Sequence, residues 1–304
     1  MAADRDRGRP SGQRTPSHRP GAEWRGRARR WAWLAVLLIG VALYELCRRA
    51  VLATRDPLLL PTLILIGAAV VPVSFVVFVS GRRLVFGVGG AVVGLTALLG
   101  GVLAVLTAGT LEYATLRALG APSLLAVGLI EELAKLLVPA AVLLLSRGVR
   151  HPADGLLLGV AAGAGFAVAE TMGYAFVALV RSGGDLSVVN TVLVDRGVLS
   201  PAAHMAWTGL AAAALWRAAS VAWRGRAVAG FVGVYLLVAA VHTAWDAAGD
   251  GWMRGVLALV SLGLLTWTAD RLAASDRRAL PAGAQSPAVA GGAGNGGAPG
   301  SATG

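Results

Sequence analysis

Apolar runs of about 17 to 27 residues recur along most of the chain, separated by short polar or basic segments. A run of roughly 20 apolar residues is long enough to cross the hydrocarbon core of a bilayer as a helix. Within lipid each backbone amide must be hydrogen-bonded inside its own segment, so these runs are predicted to be helical. The pattern predicts an all-α, polytopic integral membrane protein of about eight transmembrane helices. We place them at about 31–47, 57–80, 84–108, 123–146, 155–181, 199–220, 227–248 and 252–269.

Polar segments flank this apolar region at both ends. Residues 1–30 contain nine arginines and are predicted to form a basic, disordered cytoplasmic arm. Residues 271–304 are predicted to form a disordered cytoplasmic tail, since the last two dozen of them are mainly Gly, Ala, Pro and Ser and cannot bury enough apolar surface to fold. This division leaves residues 31–270 as the transmembrane domain, with longer outside loops at 111–122 and 182–198.

Composition excludes a soluble enzyme. The chain is 56% hydrophobic and 14% charged, whereas soluble domains carry about 25% charged residues. The single cysteine, Cys47, excludes a disulfide framework and a cysteine-rich metal site. No glycine motif for a nucleotide cofactor follows a strand, so no such cofactor is expected.

The net charge of +11 is explained by topology rather than by nucleic-acid binding. If both termini are cytoplasmic, the inside segments hold 19 arginines and the outside segments hold seven. Cytoplasmic segments are enriched in arginine and lysine in this way. We therefore expect a multi-pass protein of the cell membrane with both termini in the cytoplasm, the lipid bilayer as its surroundings and no nucleic-acid partner.

Ionisable residues occur inside four consecutive predicted spans, the fourth to the seventh. A charge at the bilayer centre costs at least about 2.5 to 3.5 kcal/mol, so such residues usually mark a function. At about 1.5 Å per residue, the glutamates and histidines lie roughly 8 to 16 Å below the outer surface, although neighbouring helices run in opposite directions. A shared depth predicts a water-filled cavity open to the outside. The residues are Glu131, Glu132, Lys135, Glu170, His204, His242 and Asp246.

The spacing of these residues places them on particular helix faces. Lys135 follows Glu131 by four residues and Glu132 by three, so its ammonium can reach either carboxylate. The two carboxylates are about 100° apart on the helix. We therefore expect that Lys135 cannot neutralise both, and that the second carboxylate needs a proton, a metal or a partner from another helix.

The fifth and seventh spans each carry a further pattern. Gly155, Gly159 and Gly163 form a ridge of small residues suited to close helix packing, and Glu170 continues this ridge toward the bundle interior. His242 and Asp246 are four residues apart, so the aspartate is predicted to fix the tautomer of the histidine.

The polar residues also have a purely structural interpretation. The charges of the fourth span could lock helices together, Glu170 could be a protonated hydrogen-bond donor, and His204 could be an interfacial histidine. The tryptophans at positions 207, 245 and 252 are interpreted most simply as an aromatic belt. Taken jointly, the residues allow two chemistries. A glutamate could activate water while a histidine stabilises the oxyanion, or glutamate and histidine could hold a zinc ion whose water attacks.

Three motifs in the fourth, fifth and seventh spans carry a family resemblance. They are Glu131-Glu132-Leu-Ala-Lys135, Phe166-Ala-Val-Ala-Glu170 and His242-Thr-Ala-Trp-Asp246, with His204 on the intervening span. In this order they resemble the PrsW-type intramembrane proteases, a branch of the superfamily that contains the CAAX prenyl proteases and the Abi proteins. The resemblance covers about residues 123–250, a four-helix catalytic core. The wider superfamily usually shows EExxxR, FxxxH and HxxxN, and the departures from these favour PrsW.

The resemblance implies a peptidase that cleaves a membrane-protein substrate near the extracytoplasmic face, the best-known case being site-1 cleavage of an anti-sigma factor. It implies that Glu131 is the water-activating base, that Glu132 is its partner or a ligand, and that His242 is an oxyanion donor or ligand. Glu170 and His204 complete the catalytic set, and Lys135, Asp246 and Phe166 support it. If the enzyme uses zinc, the candidate ligands are Glu131, Glu170, His204 and His242.

Two other functions fit the same polar residues. A proton- or cation-coupled transporter would use buried Glu, His and Asp as a relay, but it predicts polar residues in both halves of the chain. A non-catalytic scaffold would bind anionic lipid or a cytoplasmic partner through residues 1–30.

Overall fold

The computed structural model describes residues 20–82, 84–120, 123–146, 148–249 and 251–279, with side chains from residue 29 to residue 278. Every regular element in these ranges is helical, which confirms the predicted all-α class. A 3₁₀ turn, Pro57–Leu59, precedes α2, and a π turn, Pro201–Met205, joins α7 to α8. The helices are α1 (Pro20–Thr54), α2 (Leu60–Ser80), α3 (Gly90–Leu119), α4 (Leu124–Lys135), α5 (Leu137–Leu145), α6 (Pro152–Arg181), α7 (Leu186–Leu199), α8 (Ala206–Ser220), α9 (Gly225–Ala247) and α10 (Gly251–Ala279).

Six helical segments in the described ranges are long and apolar enough to cross a membrane. They are Pro57–Ser80, Gly90–Leu119, Pro152–Arg181, Leu186–Ser220, Gly225–Ala247 and Gly251–Arg278. The chain is therefore a multi-pass membrane protein. The predicted first and fourth spans, which correspond to α1 and to the pair α4 and α5, are not among the six, so the count of eight stays a prediction.

A proline explains why the predicted fourth span consists of two helices. Pro139 has no N–H to donate to the carbonyl of Lys135, and its ring crowds that carbonyl. The helix α4 ends at Lys135, the Leu136 N–H turns back to the Leu133 carbonyl at 3.1 Å, and α5 begins at Leu137. The break therefore lies directly beside the lysine of the first motif.

The helices extend further than the apolar runs, and this corrects several predicted boundaries. Residues 20–30 are helical within α1 and residues 271–279 within α10, although both stretches were expected to be disordered. The rest of the arm and tail, 1–19 and 280–304, lies outside the described residues. The loop expected at 111–122 is helical up to Leu119, and the one expected at 182–198 contains most of α7. Thirty residues of α3 span about 45 Å, which exceeds the hydrocarbon thickness of about 30 Å, so a helix can continue past the end of its apolar run.

The helix α6 lies at the centre of the bundle and packs against α2, α3, α7 and α8. Its predicted glycine ridge faces the segment that carries His204 and α8. A Cβ at Gly159 would run into the carbonyl of Thr208, and one at Gly163 would run into the carbonyl of His204. On the other side of α6, Gly165 lies against Gly101 of α3. Glycine thus allows the backbones to approach closely, and it fixes the position of His204 relative to α6.

Candidate active site

Acidic, basic and imidazole side chains from four helical segments meet in the interior of the bundle. They come from α4, α6, the π turn and α9, which are the segments that carry the predicted motifs. They lie in the half of the bundle nearer the connections 120–123, 182–185 and 248–250. All the predicted catalytic residues belong to this one cluster: Glu131, Glu132, Glu170, His204 and His242.

Lys135 is the centre of the cluster and is completely buried. Its ammonium donates to Glu131 Oε2 at 3.0 Å, to Glu132 Oε1 at 2.8 Å and to His204 Nδ1 at 2.9 Å. An ammonium has three protons, so all of them are used. The four-carbon side chain extends between the two helix faces and contacts both glutamates, but its single charge balances only one of them, and Glu132 has a further partner on another helix, His242. The ammonium also lies 4.0 Å from the ring centroid of Phe166.

His204 lies in the π turn, next to a non-helical residue, Ala203, with φ −103° and ψ −112°. Wide turns of this kind inside helices often occur at functional sites. Because Lys135 donates to Nδ1, the ring proton belongs on Nε2, which lies 3.1 Å from Glu170 Oε2. His204 therefore connects the charges of α4 to the glutamate of α6.

His242 is held chiefly by Glu132 rather than by Asp246. Its Nδ1 lies 2.9 Å from Glu132 Oε1, whereas its Nε2 lies 3.4 Å from Asp246 Oδ2 and 3.6 Å from Glu131 Oε2. Asp246, which the spacing selected, is thus more distant from the ring of His242 than Glu132 is. With the proton on Nδ1 and directed to Glu132, the lone pair of Nε2 faces the carboxylates of Asp246 and Glu131.

Trp207 is part of this cluster, and its assignment to an aromatic belt was wrong. Its side chain is almost fully buried, its ring stacks on His242 at a centroid distance of 4.9 Å, and its Nε1–H donates to Ser261 Oγ of α10 at 2.9 Å. Trp252, in contrast, is exposed as a belt residue would be. Trp207 faces inward because the π turn and the start of α8 are enclosed by neighbouring helices.

Arg196 of α7 is a site residue that the sequence analysis missed. Its guanidinium lies 2.6 Å from Glu170 Oε2 and 4.1 Å from the ring centroid of Tyr174, and its Nε donates to Thr171 Oγ1 at 3.4 Å. The arginine was counted as a loop charge because residues 182–198 were not recognised as helical. Continuing the helix into the π turn would have placed it about two turns before His204.

Glu112 of α3 is an acidic residue that the sequence analysis did not single out. Its buried Oε1 has no hydrogen-bond partner among the described residues. It was missed because the third span was ended at residue 108, before the helix ends.

Glu131, His204 and His242 form a group able to hold a metal ion, since one donor atom from each lies within 4.8 Å of the others. One carboxylate and two imidazoles are a typical ligand set of catalytic zinc. The fourth ligand candidate, Glu170, is not in this group and pairs with Arg196 instead.

The charge of the cluster also suits a divalent cation. The cluster contains four carboxylates and two cationic side chains. Its formal charge is therefore −2 when both histidines are neutral. A buried net charge is costly unless it is compensated. The carboxylates are Glu131, Glu132, Glu170 and Asp246, and the cations are Lys135 and Arg196. The donor set and the charge therefore both fit a divalent metal ion.

Comparison with known proteins gives one match. The model of the family described as PrsW family intramembrane metalloprotease matches residues 58–269, a range that contains every motif of the cluster. No curated protein and no solved structure matches the chain.

Proposed function

Because the chain belongs to the PrsW family of intramembrane metalloproteases, we propose that it cleaves a membrane-protein substrate at a peptide bond near the extracytoplasmic face. The observation that carries the proposal is the single buried cluster in which three motifs from separate helices meet, together with His204. A protease needs a group that activates water and groups that stabilise an oxyanion, and the cluster contains candidates for both.

Zinc is the metal that we propose, and Glu131, His204 and His242 are the residues that would hold it. When bound, zinc supplies a water molecule of lowered pKa and polarises the scissile carbonyl. His204 Nδ1 accepts a hydrogen bond from the Lys135 ammonium. A metal ion held by this nitrogen would replace the ammonium as its positively charged partner. Glu132 holds the Nδ1–H of His242 and leaves Nε2 available, as carboxylates commonly do for metal-binding histidines.

Proton transfer is assigned to Glu131, through the carboxylate oxygen that would not hold the metal. Its side chain is 11% exposed, whereas that of Glu132 is 0% exposed, so of the two adjacent glutamates only Glu131 is accessible to water. Every contact described above for Glu131 uses Oε2, which leaves Oε1 to accept a proton from water. Glu132 is a positioning residue that orients His242, and Lys135 holds both carboxylates in place.

Glu170 and His204 complete the site on the side of α6. Glu170 Oε2 lies 3.1 Å from His204 Nε2 and forms an ion pair with Arg196. Its side chain is partly exposed, so it can also accept a hydrogen bond from the substrate. Asp246 is partly exposed, and its Oδ2 lies 3.4 Å from Nε2 of His242.

The substrate that we propose is a membrane-bound anti-sigma factor cleaved at site 1, the activity that the resemblance implies. The proposed orientation, with both termini cytoplasmic, has the support of the arginine distribution. In that orientation the connections 120–123, 182–185 and 248–250 are extracytoplasmic, and the cluster lies in the half of the bundle nearest to them. A substrate segment could then reach the cluster from the outer face.

The proposal is tested by mapping new N-termini in membranes of cells that express the wild-type chain, Glu131→Gln or the control Arg217→Gln. Arg217 is exposed and lies outside the cluster. General base catalysis contributes about 10²- to 10⁴-fold, so Glu131→Gln should abolish termini that wild type and Arg217→Gln both produce. Identical termini from all three chains would contradict the proposal. Termini only in proteins other than anti-sigma factors would reject the substrate class but keep the activity.

A further inference from the structure

A cavity lies at the end of the bundle away from the cluster. It has a volume of about 750 Å³ and lies between the pair α1 and α2 on one side and α10 on the other, with Leu156 of α6 among its lining residues. Leu156 precedes Glu170 by 14 residues on the same helix, which corresponds to about 21 Å. The cavity is therefore separate from the proposed active site.

The walls of the cavity are apolar and its rim is basic. Trp33, Phe75, Phe78, Leu262 and Leu265 are among the residues that line it. Three arginines and one acid also line it, namely Arg30, Arg82, Arg277 and Asp270. The formal charge of these four residues is +2, and the guanidinium of Arg82 lies 4.5 Å from the ring centroid of Phe78, where the apolar wall meets the rim.

The helix that forms one wall is fixed above and below the cavity. Ser261 of α10 accepts the hydrogen bond from Trp207. Further along α10, Asp276 Oδ1 lies 2.9 Å from Nε2 of His151, and His151 caps the start of α6. Leu265 lies one turn beyond Ser261, close to Gly209 of α8. With α10 held at both points, the gap between it and the pair α1 and α2 is a built feature of the fold.

From this arrangement we propose that the cavity binds an anionic phospholipid. Its volume falls within the roughly 300 to 1,000 Å³ of small-molecule sites, and its apolar walls suit an acyl chain. Arginine guanidinium groups form paired hydrogen bonds with phosphate oxygens, and basic pockets between transmembrane helices bind anionic head groups. A free phosphate would leave the apolar walls unused, and a zwitterionic lipid would leave the charge of the rim unbalanced.

The test is native mass spectrometry of the full-length protein, delipidated in detergent and titrated with phosphatidylglycerol or phosphatidylcholine of identical acyl chains. Arg82→Gln/Arg277→Gln removes charge from the rim, and Ala273→Trp fills the cavity without changing charge. The matched control is Arg217→Gln/Arg226→Gln, which removes two exposed arginines at the same end of the bundle but outside the cavity.

The wild type should bind phosphatidylglycerol more tightly than phosphatidylcholine. The rim variant should raise the Kd for phosphatidylglycerol by about 10- to 30-fold, the cavity-filling variant should weaken binding of both lipids, and the control should resemble the wild type. Equal affinity for the two lipids in the wild type would overturn the proposal. So would an equal loss in the control, which would indicate general surface charge, or unchanged binding in the rim variant.

Discussion

Lys135 Nζ lies 2.9 Å from Nδ1 of His204, a residue 69 positions further along the chain. This contact fixes the tautomer of His204, since a nitrogen that accepts from an ammonium cannot carry the proton itself. Through the same ammonium the two glutamates of α4 are joined to the π turn. The lysine is thus both a structural junction and the group that orients a candidate metal ligand.

Removing the charge of Lys135 should therefore destabilise the protein. Lys135→Met leaves two buried carboxylates without their cation, and breaking a buried ion pair from one side costs about 3 to 5 kcal/mol. We expect a large decrease in the thermal midpoint of the detergent-solubilised protein and loss of cleavage. Arg217→Met, at an exposed position, should change the free energy of unfolding by less than about 0.5 kcal/mol. Equal midpoints for the two variants would contradict the central position of Lys135.

Arg196 should act on the reaction through Glu170. Arg196→Gln removes the ion pair to Glu170, and hydrogen bonds to charged groups contribute about 1.5 to 3 kcal/mol. We expect cleavage to fall by at least about tenfold, with partial rescue in Arg196→Lys, which keeps the charge but loses the fork geometry. Progress curves for a common substrate measure this effect. If Arg196→Lys and Arg196→Gln are equally impaired, the charge of Arg196 is not what supports Glu170.

The hydrogen bond from Trp207 to Ser261 and the stacking of Trp207 on His242 should make separate contributions to stability. Trp207→Phe keeps an aromatic ring on His242 but loses the donor to Ser261, a change of about 1 kcal/mol. Trp207→Ala also leaves a cavity beside His242 and should cost about 3 to 5 kcal/mol. Thermal unfolding of both variants and of Ser261→Ala separates the contributions. If Trp207→Phe is as unstable as Trp207→Ala, the ring stack contributes little.

Much of the cluster could be predicted because helical periodicity is strict. Spacings of three and four residues place Glu131 and Glu132 within reach of Lys135 on α4. The same periodicity places Gly155, Gly159 and Gly163 on one face of α6. The sequence could not show Arg196 or Glu112, because hydropathy ends a helix where the apolar run ends, whereas these helices continue beyond it. It also could not show that Glu132 rather than Asp246 is the closer partner of His242, since that distance depends on how α4 packs against α9.

The helix α6 provides a matched pair of glycine substitutions, one in the glycine ridge and one outside it. Gly163→Ala would place a methyl group against the backbone of His204, whereas nothing lies within 4 Å of a Cβ at Gly173. We expect Gly163→Ala to destabilise the protein and reduce cleavage. Gly173→Ala should be neutral or stabilising by up to about 1 kcal/mol, since alanine favours helix more than glycine. Thermal unfolding of the two variants side by side checks this, and equal tolerance would argue against the close approach of α6 to the π turn.

Metal analysis of the purified protein tests the proposed active site most directly. We predict about one zinc ion per chain in the wild type, as in other three-ligand catalytic sites, and the same content in Arg217→Ala. Glu131→Ala, His204→Ala and His242→Ala should each lose most of the metal while remaining folded by circular dichroism. Full metal content in all three variants, or complete cleavage activity in wild-type protein shown to be metal-free, would contradict a single metal-dependent site built from these helices.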